Sequence, residues 1–380
     1  MKHRTPLRAV LAVAALGLVA FTGWIASLPA TPAPAAAQPV PSAQTQATLA
    51  ALAPPKRPRP LVAVVGLNDA TETTDYLMPY GILRRSGVAD VVALATEAGP
   101  VKLYPALTVE ADATLAQFDA RHADGADYVI VPAMSRDDDP RVLAWIRAQA
   151  AKGAIVIGVC AGAKVVGAAG LLDGKRATTH WYYLDELRER TPSIRYVADR
   201  RFVVDRGVAT TTGISASMPM SLTLIEAIAG REKAEATARD LGLAHWDARH
   251  RSAAFRFTRP FALTVMGNTL AFWNRDALGI ELAPGVDEVS LALVADAWSR
   301  TYRSRAVAFA RAPGPIEGRH GLRILPDRVG VDWPAQRLLP AITAVPPAQA
   351  LNDALARIEA RYGAKTAEVV AMQLELLPSR

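Results

Sequence analysis

Short, unbroken β-branched runs separated by helical stretches constrain this chain more than any other feature of its sequence. Leu61–Leu67 reads LVAVVGL, with no polar position to face water, which is the pattern of a strand buried on both sides. The spacing then predicts a helix over residues 74–86 that stops at Gly87, a strand over 90–95, an apolar run over 128–132 and a helix over 141–152. Ala154–Val159 (AIVIGV) follows and runs directly into Cys160-Ala161-Gly162-Ala163 and a further helix to about Ala169. Strand–helix alternation of this kind requires a parallel sheet covered on both faces. In such sheets, functional groups collect at the carboxyl ends of the strands.

Cys160 stands at such an end, and it is the chain's one cysteine, so no intramolecular disulfide can form. An apolar strand, a sharp turn of small residues and a helix form a nucleophile elbow, here carrying cysteine where hydrolases carry serine. A helix N-terminus favours thiolate. The amides of Ala161 and Gly162 are the expected oxyanion donors. The alternative is a buried cysteine that only fills space.

The formal charge of +7 comes from 43 basic and 36 acidic residues. Six of the basic residues and none of the acids lie in residues 1–60, so the remainder is nearly neutral and nucleic acid is not an expected partner. Lys2, Arg4 and Arg8 precede an uncharged run from Ala9 to Leu28. At about 1.5 Å per residue such a run matches a bilayer core. Residues 1–28 therefore predict a single-pass signal anchor that places the body outside the cytoplasm, or a signal peptide cleaved near Ala35-Ala36-Ala37. Residues 29–60 hold nine of the 27 prolines and predict an extended tether.

Three further segments make the elbow specific: GLLDGKRATTHW (Gly170–Trp181), FVVDRGVATTTGISASMPMSLTLIEAI (Phe202–Ile228), and the Asp75-x-x-x-Pro79 helix with its RRSG turn (Arg84–Gly87). Together these resemble the ThiJ/PfpI superfamily, in particular the amidotransferase-like domain of GlxA-type transcriptional regulators, over about residues 61–230. The resemblance implies a flavodoxin-like α/β sandwich, commonly dimeric, with no cofactor and no metal. It implies Cys160 as nucleophile, Asp75 as the carboxylate that hydrogen-bonds it, and His180 of the TTH motif as acid or base. Glu72, one turn earlier, is a rival for the carboxylate position. Two departures stand out. Ala133-Met134 replaces the Gly-rich second oxyanion arm, leaving the Ala133 amide to serve. Residues 212–217 read TGISAS and lack the His-x-Glu of class I glutaminases.

No helix-turn-helix pattern follows. Instead Val92–Asp112 realigns with Val307–Asp327, and Leu224–Leu243 echoes Arg357–Leu376. Residues 61–243 are thus expected to form the cysteine domain, and 244–380 a partial, degenerate copy with a connecting hairpin around Gly267-Asn268. In that copy Ser290 takes the place of Asp75 and the elbow is missing. The pair would form a pseudo-dimer within the chain, without forbidding further oligomers. His245, Asp247 and His250 match no standard zinc spacing and read as a polar surface turn. Trp246, Trp273, Trp298 and Trp333 read as packing. The expected function is cysteine-dependent hydrolase, hydratase or lyase chemistry on a small carbonyl, amide or isonitrile-like compound. The alternative is a non-catalytic ligand- or redox-sensing module.

Overall fold

A computed structural model describes residues 4–32, 36–342 and 345–376, with the side chains of 4–11 left aside. Among the described residues a seven-stranded sheet runs in the order Phe202–Asp205, Val208–Thr211, Ile155–Gly158, Tyr128–Val131, Leu61–Gly66, Asp90–Ala95 and Ala113–Thr114. All neighbours are parallel except the Phe202–Asp205 edge, which runs antiparallel to Val208–Thr211. This is the flavodoxin-like α/β sandwich, and every residue of Leu61–Gly66 is buried, as its continuous apolar run requires.

The helix Thr73–Ser86 starts where the Glu72 carboxylate accepts the Asp75 N–H at 2.6 Å. It stops at Gly87, whose φ of 68° is left-handed. Twelve of its residues are buried because it lies between the sheet and a second helix, Glu288–Ser299. The approach is close: a Cβ on Gly81 would sit 2.7 Å from Val289 Cγ2.

Beyond the cysteine domain, Asp276–Glu281, Ser304–Ala310 and Arg328–Val329 form a three-stranded parallel sheet. Strands of this region fall 215 residues after strands in the first half. Leu61–Gly66 matches Asp276–Glu281, Thr108–Glu110 matches Arg323–Leu325, and Ala113–Thr114 matches Arg328–Val329. Local bonding follows the same spacing, with Asp112 accepting from Ala93 N at 2.8 Å and Asp327 from Ala308 N at 2.9 Å. Thr108–Glu110 and Arg323–Leu325 pair with each other, antiparallel, with Val109 opposite Ile324.

Four expectations change here. Residues 259–270 are a helix rather than a hairpin: the Thr258 hydroxyl accepts the Phe261 N–H, Pro260 suits the first turn, and buried Asn268 donates to Thr301 O. The Pro-rich 29–60 segment is not a free tether. Ser42–Ala51 is helical, Leu52 is fully buried with its carbonyl accepting from Tyr128 Oη, and Arg57 pairs with Asp127. His250 is buried and stacked on Phe255 rather than lying in a surface turn. Trp246 and Trp298 are buried, Trp333 packs on Gly279, and Trp273 is exposed.

The membrane anchor is overturned. Among the described residues no helix is long and apolar enough to cross a membrane. The first helix is Arg4–Ser27, with Arg4 and Arg8 in its first two turns. Its carboxyl end is instead held by the body, with Arg259 donating to the carbonyls of Ile25, Ala26 and Leu28. The single-pass placement of the body outside the cytoplasm loses its basis with the anchor. Lys2 and Ala35, on which parts of that reading leaned, lie outside the described residues.

Candidate active site

The elbow forms where the Ile155–Gly158 strand ends and the Gly162–Ala168 helix begins. Cys160 sits between them at φ 55°, a left-handed conformation that a non-glycine residue adopts only when its surroundings enforce it. Those surroundings are specific. The Cys160 N–H donates to Thr211 Oγ1 at 3.0 Å, and the Cys160 carbonyl accepts from Thr179 Oγ1 at 3.0 Å. Thr179 belongs to the TTH motif, so one role of that motif is to clamp the elbow. Gly162 is required by contact: a Cβ there would overlap the Val131 carbonyl oxygen and crowd Pro132.

Asp75, in the first turn of its helix, is wholly buried, and its Oδ2 accepts the Ala133 N–H at 3.1 Å. Its other oxygen, Oδ1, is buried with no hydrogen-bond partner among the described residues. Burial, with Glu72 behind it, pushes the Asp75 carboxyl well above the usual carboxylate range, against the opposing pull of the Ala133 amide and Arg300. The thiol answers in kind. Burial first, then the charges of Asp75, Glu72 and Glu375, raise Cys160 well above an ordinary cysteine. The helix-dipole argument for a ready thiolate is thus overruled by desolvation and neighbouring carboxyls; of the causes resolved, the Ala161 amide pulls the other way.

The remaining expected residues divide. The Gly162 N–H is taken by the Val159 carbonyl at 2.7 Å, and the Ala133 N–H by Asp75, so neither stands free for an oxyanion. His180 is buried with both ring nitrogens engaged, Nε2 with the Gln373 carbonyl at 3.0 Å and Nδ1 accepting from Tyr182 N at 3.2 Å. Burial lowers its pKa, which favours the neutral ring that this bonding describes. Glu72, the rival carboxylate, caps the Asp75 helix and accepts from Thr74 Oγ1 at 2.9 Å.

Two residues entered the site unannounced by the sequence. Arg300 donates from Nη2 to Glu72 Oε1 at 2.6 Å and from Nε to both Asp296 oxygens at 2.8 Å. Glu375 is buried and accepts the Trp181 N–H at 2.7 Å beside the TTH motif. The 215-residue spacing, which relates Arg85 to Arg300, was the signal that could have found the first. Among the described residues no cluster of His, Cys, Asp and Glu is arranged to hold a metal ion.

The elbow cysteine shares its buried surroundings with an acid from the first helix, and residues 62–227 match the DJ-1/PfpI family. Residues 62–227 are a DJ-1/PfpI family domain. Among curated proteins, the chain is 42% identical over 99 residues to an isonitrile hydratase of Pseudomonas putida, covering 26% of this chain and 42% of that one. It is 31% identical over 132 residues to the HTH-type transcriptional regulator CdhR of Pseudomonas aeruginosa, covering 35% and 38%. The chain thus spans about two fifths of the length of these two relatives. The Drosophila melanogaster protein dj-1beta is 26% identical over 188 residues, 48% of this chain and 97% of that protein. Among solved structures, a DJ-1 superfamily protein from Salmonella typhimurium aligns at TM-score 0.43 and 26% identity, covering 49% of this chain and all of that one. In this DJ-1/PfpI domain the elbow, its two threonine clamps and the buried acid come from four separate stretches of chain.

Proposed function

We propose that the chain is a cysteine-dependent enzyme acting on a small electrophilic carbon compound of the carbonyl, amide or isonitrile class. The observation that carries this is the buried, unpartnered Asp75 Oδ1 in the same buried site as a lone cysteine held at positive φ. The pairing suits a nucleophile that is neutral at rest. As Sγ bonds to the electrophilic carbon, the thiol proton passes to Asp75 and from there to the substrate atom that gains electron density. With an isonitrile the adduct is a thioimidate. Water then adds to its carbon and the carbon–sulfur bond breaks, releasing a formamide and restoring the thiol, so one water is consumed and nothing is oxidised. The similarity to an isonitrile hydratase supports the substrate class. His180, with both nitrogens engaged, serves as a fixed brace between the elbow segment and the carboxyl-terminal segment.

We also propose that the second half is a partial copy of the first, standing where a dimer partner would pack. The recurrence of strands and carboxylate caps at one spacing supports it.

A non-catalytic sensing role is the second reading. Cys160 is only 5% exposed, and neither of two cavities of about 570 and 610 Å³ is lined by it. The regulator similarity points the same way. Formamide release from small isonitriles, followed by chromatography, separates the two. Cys160→Ser and Asp75→Asn are expected to abolish turnover, a loss of at least about 100-fold. Turnover that survives both substitutions removes the catalytic reading.

A further inference from the structure

The clamp around Glu72 has a counterpart, and the comparison isolates what one arginine does. Glu72 caps its helix by accepting Asp75 N, and Asp287 caps the Glu288–Ser299 helix by accepting Ser290 N at 2.8 Å. Each cap is held by an arginine from the other helix. Arg300 reaches across to Glu72, and Arg85 reaches across to Asp287 while also pairing with Asp240 at 2.6 Å. The two clamps therefore brace the helix pair reciprocally. They differ in what lies beyond the cap, which is Asp75 and Cys160 in one case and Ser290 in the other.

We propose that Arg300 is the positioning residue of the cysteine site, supplied by the second half to fix the cap that carries Asp75 and to balance the buried carboxyls beside the thiol. The assignment rests on the cysteine reading above. Arg300 is itself largely buried, and its guanidinium bridges Glu72 and Asp296. Its backbone is held in turn, with Gln373 Nε2 donating to the Arg300 carbonyl at 3.0 Å while the Gln373 carbonyl takes the His180 ring. One residue of the last helix, through its side chain and its carbonyl, thus ties Arg300 to the segment that clamps the elbow. The charged and titratable groups facing the thiol are Asp75 and Glu72 from the first helix, Glu375 from the carboxyl-terminal segment, Tyr183 after the TTH motif and Arg300. Those facing Arg300 add Asp296, Tyr302 and His180. Of these carboxylates, Arg300 pairs directly with Glu72 and Asp296.

The two arginines provide the test. Thiolate absorbance near 240 nm is followed against pH on the full chain, with the Cys160→Ser protein subtracted, so reagent access plays no part. Arg300→Met is expected to raise the thiol midpoint by at least about one pH unit, which is about tenfold less thiolate at a fixed pH below it. Arg85→Met is expected to lower the melting temperature comparably and to leave the midpoint in place. Should Arg300→Met fail to fold, Glu72→Gln reports in the opposite sense. It removes a carboxylate and frees Arg300, so the midpoint falls, whereas Asp287→Asn leaves it unchanged. Equal shifts from both arginines, no shift from Arg300→Met, or no thiolate step in the intact protein below about pH 11 overturns the assignment. Loss of the catalytic reading is a separate outcome, seen as turnover that persists in Cys160→Ser.

Discussion

The Thr73–Ser86 and Glu288–Ser299 helices share a capping carboxylate, an arginine clamp and a place against each other, yet only the first sets a buried acid in its opening turn beside the cysteine site. At the third residue of each helix one has Asp75 and the other Ser290, both fully buried. Beyond Asp75 lies an elbow strand with its cysteine. Beyond Ser290 the three-stranded sheet stops short of any counterpart among the described residues. The difference teaches that the clamp is a structural device in its own right, and that the acid was placed on top of it. The clamp and the proposed reactivity are therefore expected to respond to different substitutions.

The sharpest break between the halves is expected at glycine. Gly162→Ala drives a methyl into the Val131 carbonyl and is expected to cost at least about 3 kcal/mol or to abolish soluble expression. Gly267→Ala, in the helix of the second half with open space around it, is expected to be neutral or to stabilise by up to about 1 kcal/mol. Denaturant unfolding of the two variants measures both. An elbow that tolerates alanine as easily as residue 267 would mean that the close approach to Val131 is not needed.

The caps come next. Glu72→Ala and Asp287→Ala each remove a cap and leave an arginine without one of its carboxylates, and each is expected to cost about 2 kcal/mol in urea melts. Unequal costs would show that the two clamps brace the helix pair differently.

The smallest effect concerns pH. Burial raises the Asp75 carboxyl in the folded protein above its unfolded value, so the folded state holds that proton more tightly. Its contribution to stability is complete in acid, below about pH 4, and is lost as pH rises through the folded value. Asp75→Asn is accordingly expected to melt higher than the parent at pH 8, with the gap closing toward pH 4. The mirrored change Ser290→Asp is expected to destabilise at pH 8. A constant gap across pH would show that Asp75 does not titrate differently on folding.

Much of this was legible beforehand, for physical reasons. Strands buried on both faces leave continuous β-branched runs, so Leu61–Gly66 and Asp90–Ala95 could be read almost to the residue, and the elbow followed from where Ile155–Gly158 ends. Legibility failed where local pattern and tertiary context disagree. The apolar alternation near Gly267 suggested strands, but Thr258 and Pro260 start a helix that buried Asn268 anchors. The prolines of residues 29–60 masked Ser42–Ala51, whose helix is held by packing rather than by any hydrophobic stripe. The apolar run after Arg8 suggested a membrane span, while the carbonyls at its far end are engaged by Arg259. Within the site, Cys160 was legible from the strand–turn–helix pattern and Asp75 through the family resemblance, but the engagement of the Gly162 and Ala133 amides depends on partners that no local pattern marks. Arg300 and Glu375 come from positions more than a hundred residues past the elbow. Their place beside it depends on long-range packing.

The pairing of Thr108–Glu110 with Arg323–Leu325 closes a sheet edge from within one chain. An edge sealed by a second molecule opens on dilution, at a point set by the dissociation constant. A tethered edge meets a fixed local concentration of its complement, however few molecules are present. The cap on Asp75 and the arginine that holds it therefore persist at the lowest working concentrations. A variant in one half acts on a site that always carries both halves, with no mixed population to average over.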